Sequence, residues 1–182
     1  MHGALIRLSG ATGLASSRCF WSRPARFPSR LSGNSDLLDQ AGEDHISIKL
    51  QLQSQPWHMY SGVIVRCILA ASTLEGGRTA AKSVMAAVAA HREEFEFDRH
   101  CSGPNLDATP NDIIRRIERY SGVKLAEAFA IPDLDREVKW HCKYARQNGI
   151  HVSPTFMVDG LVEPDMSSGD PVADWVVRLS DH

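Results

Sequence analysis

The chain has 182 residues, of which 43% are hydrophobic and 23% charged, a composition typical of a globular protein with a real core. Its formal charge of −2 at pH 7 gives no reason to expect nucleic acid as a partner. No apolar run approaches the ~18 residues that a membrane-spanning helix needs, so no membrane span is predicted.

Residues 1–35 differ in composition from the rest of the chain. They contain five arginines, frequent serines and no acidic residue. This composition is typical of a mitochondrial transit peptide, and a disordered leader without an address is the alternative. The segment therefore predicts a mitochondrial location, with a cytoplasmic one as the alternative. Residues 36–45 are predicted to form a polar linker.

Residues 46–53 are predicted to form a strand. Their apolar and polar residues alternate strictly, which is the period-two pattern of a strand with one buried face. Pro56 ends this strand, and Ser61 is placed to cap a helix with an apolar stripe. A second, alanine-rich helix is predicted from Arg78 to Glu94.

Two further helices have clear sequence boundaries. Thr109, Pro110 and Asp112 form a strong start signal, with a capping hydroxyl, a proline in the first turn and an acid near the helix dipole. Another helix is predicted to begin at Asp133 and to end at Gly149 as a left-handed cap. The predicted buried side of this second helix consists of Leu134, Val138, Cys142 and Ala145.

The end of the chain predicts a β-hairpin followed by a helix. "TFMV" and "LVE" are joined by Asp159-Gly160, the preferred two-residue turn because it tolerates positive φ. A hairpin that is entered through a proline and followed by a terminal helix is the closing half of a thioredoxin-like fold.

The segment "GIHVSPTFMVDG", residues 149–160, resembles the proline loop of the DsbA-like thioredoxin family. That family is related to 2-hydroxychromene-2-carboxylate isomerases and kappa-class glutathione transferases. The resemblance covers roughly residues 46–180 and includes a helical insertion between the first predicted strand and the proline. It implies an α/β thioredoxin-like fold for residues 46–182.

The resemblance also implies a binding site. In the family the proline peptide bond is cis, and the backbone before it pairs with a thiol-containing peptide or with glutathione. Ser153, Pro154 and Thr155 are therefore the predicted binding residues, and Trp57 and His58, at the end of a strand, are added to them. The alternatives are that Pro154 only shapes the turn and that Trp57 belongs to the core. No cofactor is predicted, and glutathione is the alternative.

The family's reactive group is not evident in this sequence. Relatives carry a cysteine pair, or a single serine or cysteine, where a helix follows the first strand, because a helix N-terminus lowers a thiol pKa. Here the cysteines are residues 19, 67, 101 and 142, with no CxxC spacing, and Cys19 follows no apolar strand. The N-terminal catalytic βα unit is therefore predicted to be missing or replaced, either in a truncated chain or with "ALIRLS" as a substitute strand. The catalytic residues remain unknown.

Three functions remain open at this point. The first is a relative of thiol-disulfide oxidoreductases without a functional redox motif. The second is a glutathione-dependent transferase or isomerase, and the third is a non-catalytic peptide-binding module that uses the proline loop. The histidine and cysteine spacings fit no zinc pattern, so no metal site is predicted.

Overall fold

The computed structural model describes residues 15–21, 37, 39–42, 46–54, 59–95, 105–152 and 154–180. Strands and helices follow one another in the order expected for a sheet with a helical insertion. The strands are β1 (Ala15–Trp21), β2 (Ile46–Leu52), β3 (Thr155–Val158) and β4 (Leu161–Val162). The helices are α1 (Ser61–Ser72), α2 (Gly77–Ala90), α3 (Pro110–Ser121), α4 (Ala126–Phe129), α5 (Asp133–Gln147) and α6 (Val172–Ser180).

The four strands form one sheet in the order β2-β1-β3-β4. β1 is parallel to β2 and antiparallel to β3, and β3 pairs with β4 in an antiparallel hairpin. Of the two predicted alternatives, the structure supports a strand supplied by the N-terminal segment, from residues 15–21, and not a sheet without its central strand. The segment "ALIRLS" lies outside the described residues. β1 also lies inside the segment 1–35 that the sequence predicts as a leader. Its sequence, ASSRCFW, does not predict a strand, because central strands are usually formed by runs of apolar residues.

One face of the sheet packs against the inserted helices. Ile48, Leu50 and Leu52 are fully buried, together with residues of α1, α2 and α3, in a single core cluster. Burying a side chain of this size contributes about 1.5–3 kcal/mol, so the alternation predicted for β2 is a main source of stability. Among the described residues, no helix is long and apolar enough to cross a bilayer.

The helix boundaries confirm one predicted cap and correct another. Thr109 and Asp112 form a reciprocal capping box at the start of α3, and Pro110 is the first helical residue. Hydrogen bonds from the hydroxyl and amide of Thr109, the largest causes, hold the pKa of the Asp112 carboxyl down at about 2. Ser61, in contrast, is not a cap: α1 begins at Ser61, and its hydroxyl lies 3.0 Å from that of Ser54.

Arg66 connects α1 to the chain between α4 and α5. Its guanidinium donates to the backbone carbonyl of Phe129 at 2.8 Å and to that of Ile131 at 2.9 Å, and it pairs with Asp135. The side chain is only 16% exposed, whereas that of Asp135 is 69% exposed. The two carbonyls therefore carry most of this contact, because an exposed ion pair contributes little.

Replacing Arg66 with alanine is expected to lower the free energy of unfolding by about 2 kcal/mol, since two carbonyls lose a charged donor. Asp135→Ala is the matched control and should cost less than about 1 kcal/mol. Urea unfolding of both variants measures the difference. An Asp135→Ala effect as large as that of Arg66→Ala would mean that the ion pair, rather than the carbonyls, holds the two elements together.

Candidate functional site

The strand register brings three chain segments to one edge of the sheet. Trp21, the last residue of β1, pairs with Leu52, the last residue of β2. Thr155, the first residue of β3, pairs with Phe20 of β1. The chain therefore leaves β1, leaves β2 and enters β3 at the same edge, and Pro154 lies there directly before Thr155.

The path from α5 to Pro154 is set by the end of the helix. Gly149 has a φ of 66°, as the predicted left-handed cap requires. The amide of Ile150 donates to the carbonyl of Ala145 at 2.9 Å, and the amide of Gly149 to that of Arg146 at 3.2 Å. These two bonds form a Schellman motif. Ile150 is buried against Ala145 and Met157, so the turn fixes where the proline loop leaves the helix.

Gly149→Ala is expected to lower the free energy of unfolding by about 1 kcal/mol, because an alanine at positive φ is strained. A Cβ at this position would meet no atom within 4 Å, so strain is the only cost. Gly149→Asn, which tolerates the left-handed conformation better, should lose less. Thermal unfolding of both variants tests this order, and an equal loss in the two would contradict it.

We call residues 150–155 the proline loop, of which all but Ser153 belong to the described part of the chain. The hydroxyl of Thr155 donates to the carbonyl of Val152 at 2.8 Å and closes the turn. Pro154 is half-buried, whereas the Val152 side chain is 70% exposed. The turn thus holds an apolar side chain in solvent beside the shared edge of the sheet.

Two of the five predicted binding residues can be located. Pro154 and Thr155 lie together at the edge where β1 and β2 end. Ser153, Trp57 and His58 lie outside the described residues. The segment that contains Trp57 and His58 follows Gln53 and Ser54, so it is entered from the same edge of the sheet. The binding role of all five residues stays a prediction.

His141 of α5 is a buried residue that the sequence analysis did not select. It is 1% exposed, and its Nδ1 accepts a hydrogen bond of 3.2 Å from the backbone amide of Leu52. Burial, with a smaller contribution from the charge of Lys49, lowers the pKa of His141 to about 4. The helical spacing of His141 with Leu134, Val138 and Ala145 is the sequence signal that could have predicted its burial. Cys142, which is predicted on the buried side instead, is half-buried.

The described cysteines differ in their surroundings. Burial, the largest cause, raises the pKa of the Cys67 thiol to about 12, so this thiol is protonated at neutral pH. Cys19 lies inside β1, with its Cα opposite Leu50 and Phe156, rather than at the start of a helix. Among the described residues, no three His, Cys, Asp or Glu side chains come together as a potential metal site.

A four-stranded mixed sheet with a helical insertion, a proline loop before an antiparallel strand and a helix after the hairpin defines a thioredoxin-like fold. Solved structures agree with this class. Over 96% of its length the chain is similar to a candidate protein-disulfide isomerase from Pseudomonas syringae, at 62% identity, with a TM-score of 0.90 and 97% of that protein covered. The chain belongs to the DsbA-like family of thioredoxin-fold proteins, which are related to disulfide isomerases.

More distant structures share the fold. A thioredoxin-like oxidoreductase from Silicibacter pomeroyi matches at 17% identity and a TM-score of 0.69, over 98% of this chain and 94% of that one. A periplasmic thioredoxin-like protein from Salmonella enterica serovar Typhimurium matches at 12% identity and a TM-score of 0.65, over 98% of this chain and 89% of that one. No family model and no curated protein sequence matches the chain.

These comparisons correct the predicted location. The predicted mitochondrial location is wrong, because the protein that the chain matches at 62% identity over 96% of its length is bacterial. The 62% identical match covers 96% of the chain, so it extends well into residues 1–35. Arginine-rich and acid-free composition does not separate a transit peptide from a polar strand and its flanking segments.

Proposed function

We propose that the protein is a relative of the thiol-disulfide oxidoreductases that binds an extended, thiol-containing polypeptide at its proline loop without turning over disulfides. The observation that carries the proposal is the strand register, which sets Thr155 opposite Phe20 at the edge where β1 ends. The 62% identity to a candidate protein-disulfide isomerase supports the choice of ligand class.

The hydrogen bonds at the loop and its exposed apolar side chain support binding there. The Schellman motif at Gly149 and the Thr155 hydroxyl hold the loop in one shape, so little entropy is lost when a ligand binds. The exposed Val152 offers an apolar contact, and the loop backbone offers one rung of strand pairing to an extended peptide. A cis peptide bond between Ser153 and Pro154 is part of the proposal.

The absence of turnover is inferred from the cysteines. A dithiol enzyme passes electrons through two neighbouring thiols, one of which is activated as a thiolate. The sequence has no CxxC, and the high pKa of Cys67 leaves that thiol without nucleophilic character at neutral pH. Cys19 lies in β1, two residues before Trp21 at the end of the strand, and its Cα pairs with that of Phe156.

Pro154→Ala is expected to weaken binding of a fluorescein-labelled, unstructured peptide with one cysteine by roughly tenfold, or about 1.4 kcal/mol. Fluorescence anisotropy measures the affinity, and circular dichroism checks that the variant folds. Pro164→Ala, in an exposed turn after β4, is the matched control and should bind like the wild type. If the two variants bind the peptide with equal affinity, the peptide binds somewhere other than the proline loop.

The same titration separates the proposal from a glutathione-dependent enzyme. Competition by millimolar reduced glutathione that is lost in Pro154→Ala would favour a glutathione site at the loop. A cysteine peptide that binds unaffected by glutathione would favour the polypeptide ligand proposed here.

A further inference from the structure

Most of the unpartnered buried polar atoms in the described part of the chain belong to the end of β2 and to α5, which a hydrogen bond joins. Among the described residues, five buried side-chain nitrogen or oxygen atoms have no hydrogen-bond partner, and four of them belong to Gln51, Gln53 and His141. Gln51 is 0% exposed and lacks a partner at both its amide nitrogen and its amide oxygen. A buried polar group that is left unpaired destabilises the fold, so these atoms are expected to have a hydrogen-bond partner.

The strand geometry places these atoms together. His141 Nδ1 accepts from the amide of Leu52, the residue between Gln51 and Gln53. The side chain of Gln51 projects from β2 on the face opposite the buried Leu50 and Leu52, and Gln53 is the first residue after the strand. Lys49 shares that face, and its charge acts on His141.

The helix α5 covers the same face. The register aligns Lys49, Arg18 and Met157 in one row across the sheet, and Met157 packs against Ala145. Ala145 follows His141 by one helical turn, so both residues point from α5 toward the sheet. The hydrogen bond from the backbone amide of Leu52 places the imidazole beside the end of β2, next to the two residues that flank Leu52.

The hydrogen-bonding groups fit a neutral polar molecule. Since Nδ1 of His141 accepts a proton, the neutral ring carries its own proton on Nε2 and donates there. Gln51 adds an amide donor and an amide acceptor, and Gln53 adds a carbonyl acceptor. A metal ion would meet a protonated nitrogen and a nearby lysine charge, and an anion would leave the two carbonyl oxygens unpaired.

We propose that Gln51, Gln53 and His141 bind a buried water molecule between β2 and α5. The water accepts a hydrogen bond from His141 Nε2 and donates to an amide oxygen of a glutamine, within the three or so bonds typical of buried water. It completes the contact between the outer edge of β2 and the helix that leads to the proline loop.

Two measurements on the full-length wild-type protein test this site. A crystal structure that resolves ordered water should show density within hydrogen-bond distance of His141 Nε2 and of at least one glutamine amide. In ¹⁵N-labelled protein, the His141 ring should carry its proton on Nε2, and that proton should show a cross-peak to a long-lived water. Density from a protein atom at this position, or the absence of any, overturns the proposal, as does a proton on Nδ1.

A variant pair tests the role of the glutamine. Gln51→Leu keeps a similar volume without polar atoms and should abolish the water cross-peak of His141. Gln147→Leu, on the exposed side of α5, is the matched control and should leave the cross-peak unchanged. Persistence of the cross-peak in Gln51→Leu contradicts the assignment of this residue, and the wild-type measurements stand even if the variant does not fold.

Discussion

Replacing Phe156 with alanine is expected to lower the free energy of unfolding by about 3–5 kcal/mol, the usual cost of deleting a buried ring. Phe156 is buried, two residues after Pro154, and its ring centroid lies 5.1 Å from that of Trp175 in α6. Its Cα pairs with Cys19 at the centre of the sheet. The ring thus joins the terminal helix to the strand that carries the proline loop.

Urea unfolding followed by intrinsic tryptophan fluorescence measures this loss. Phe156→Leu is the matched control and should cost less than about 1.5 kcal/mol, because it keeps most of the buried volume. The loss in the alanine variant should also weaken peptide binding, since β3 holds Thr155 in place. A loss of less than 1 kcal/mol on Phe156→Ala would show that the contact between α6 and β3 contributes little.

The free energy of unfolding is expected to fall by on the order of 3 kcal/mol between pH 7 and pH 4 because of His141 alone. In the folded protein the pKa of this imidazole is lowered from its ordinary value of 6.5 to about 4 by burial and by Lys49. In the unfolded chain the ring takes up a proton as the pH falls through 6.5, whereas the folded ring stays neutral until about pH 4. Acid therefore favours the unfolded state throughout this window, and the contribution is constant above it.

The contribution of His141 is the difference in the free energy of unfolding between wild type and His141→Gln. The carboxylates are common to both proteins, so their contributions cancel in this difference. Chemical unfolding at intervals from pH 7.5 to 4 should give converging stabilities as the pH falls. His151→Gln, at an exposed position of the proline loop, is the control and should run parallel to wild type. If the difference in the free energy of unfolding between wild type and His141→Gln does not change with pH, the claim that His141 is neutral and buried is wrong.

The elements predicted well from the sequence are those with local signals. The alternation in β2, the helix cap at Thr109, the left-handed Gly149 and the Asp159-Gly160 turn are each set by neighbouring residues, and the structure has all four. Asp159 and Gly160 both have positive φ, as the predicted hairpin turn requires. The start of β3 directly after Pro154 is predicted for the same reason, because its signals lie within one short segment.

The parts that the sequence analysis missed depend on distant residues. β1 is polar in sequence, and its place in the sheet is set by pairing with β2 and β3 rather than by its own pattern. Gln51 is buried at the end of β2, where α5 forms a hydrogen bond to the strand, and no local pattern reveals this contact; for His141 the helical spacing of α5 is the only local signal. Ser61 has the residue type of a cap, but its hydroxyl bonds with Ser54 instead.

The insulin reduction assay tests the central claim most directly. With dithiothreitol as electron donor, the purified full-length protein should precipitate insulin at the rate of dithiothreitol alone, while the cysteine peptide still binds at the proline loop. A rate that rises in proportion to protein concentration, with many disulfides reduced per molecule, would contradict the account and show that the chain carries a working redox centre.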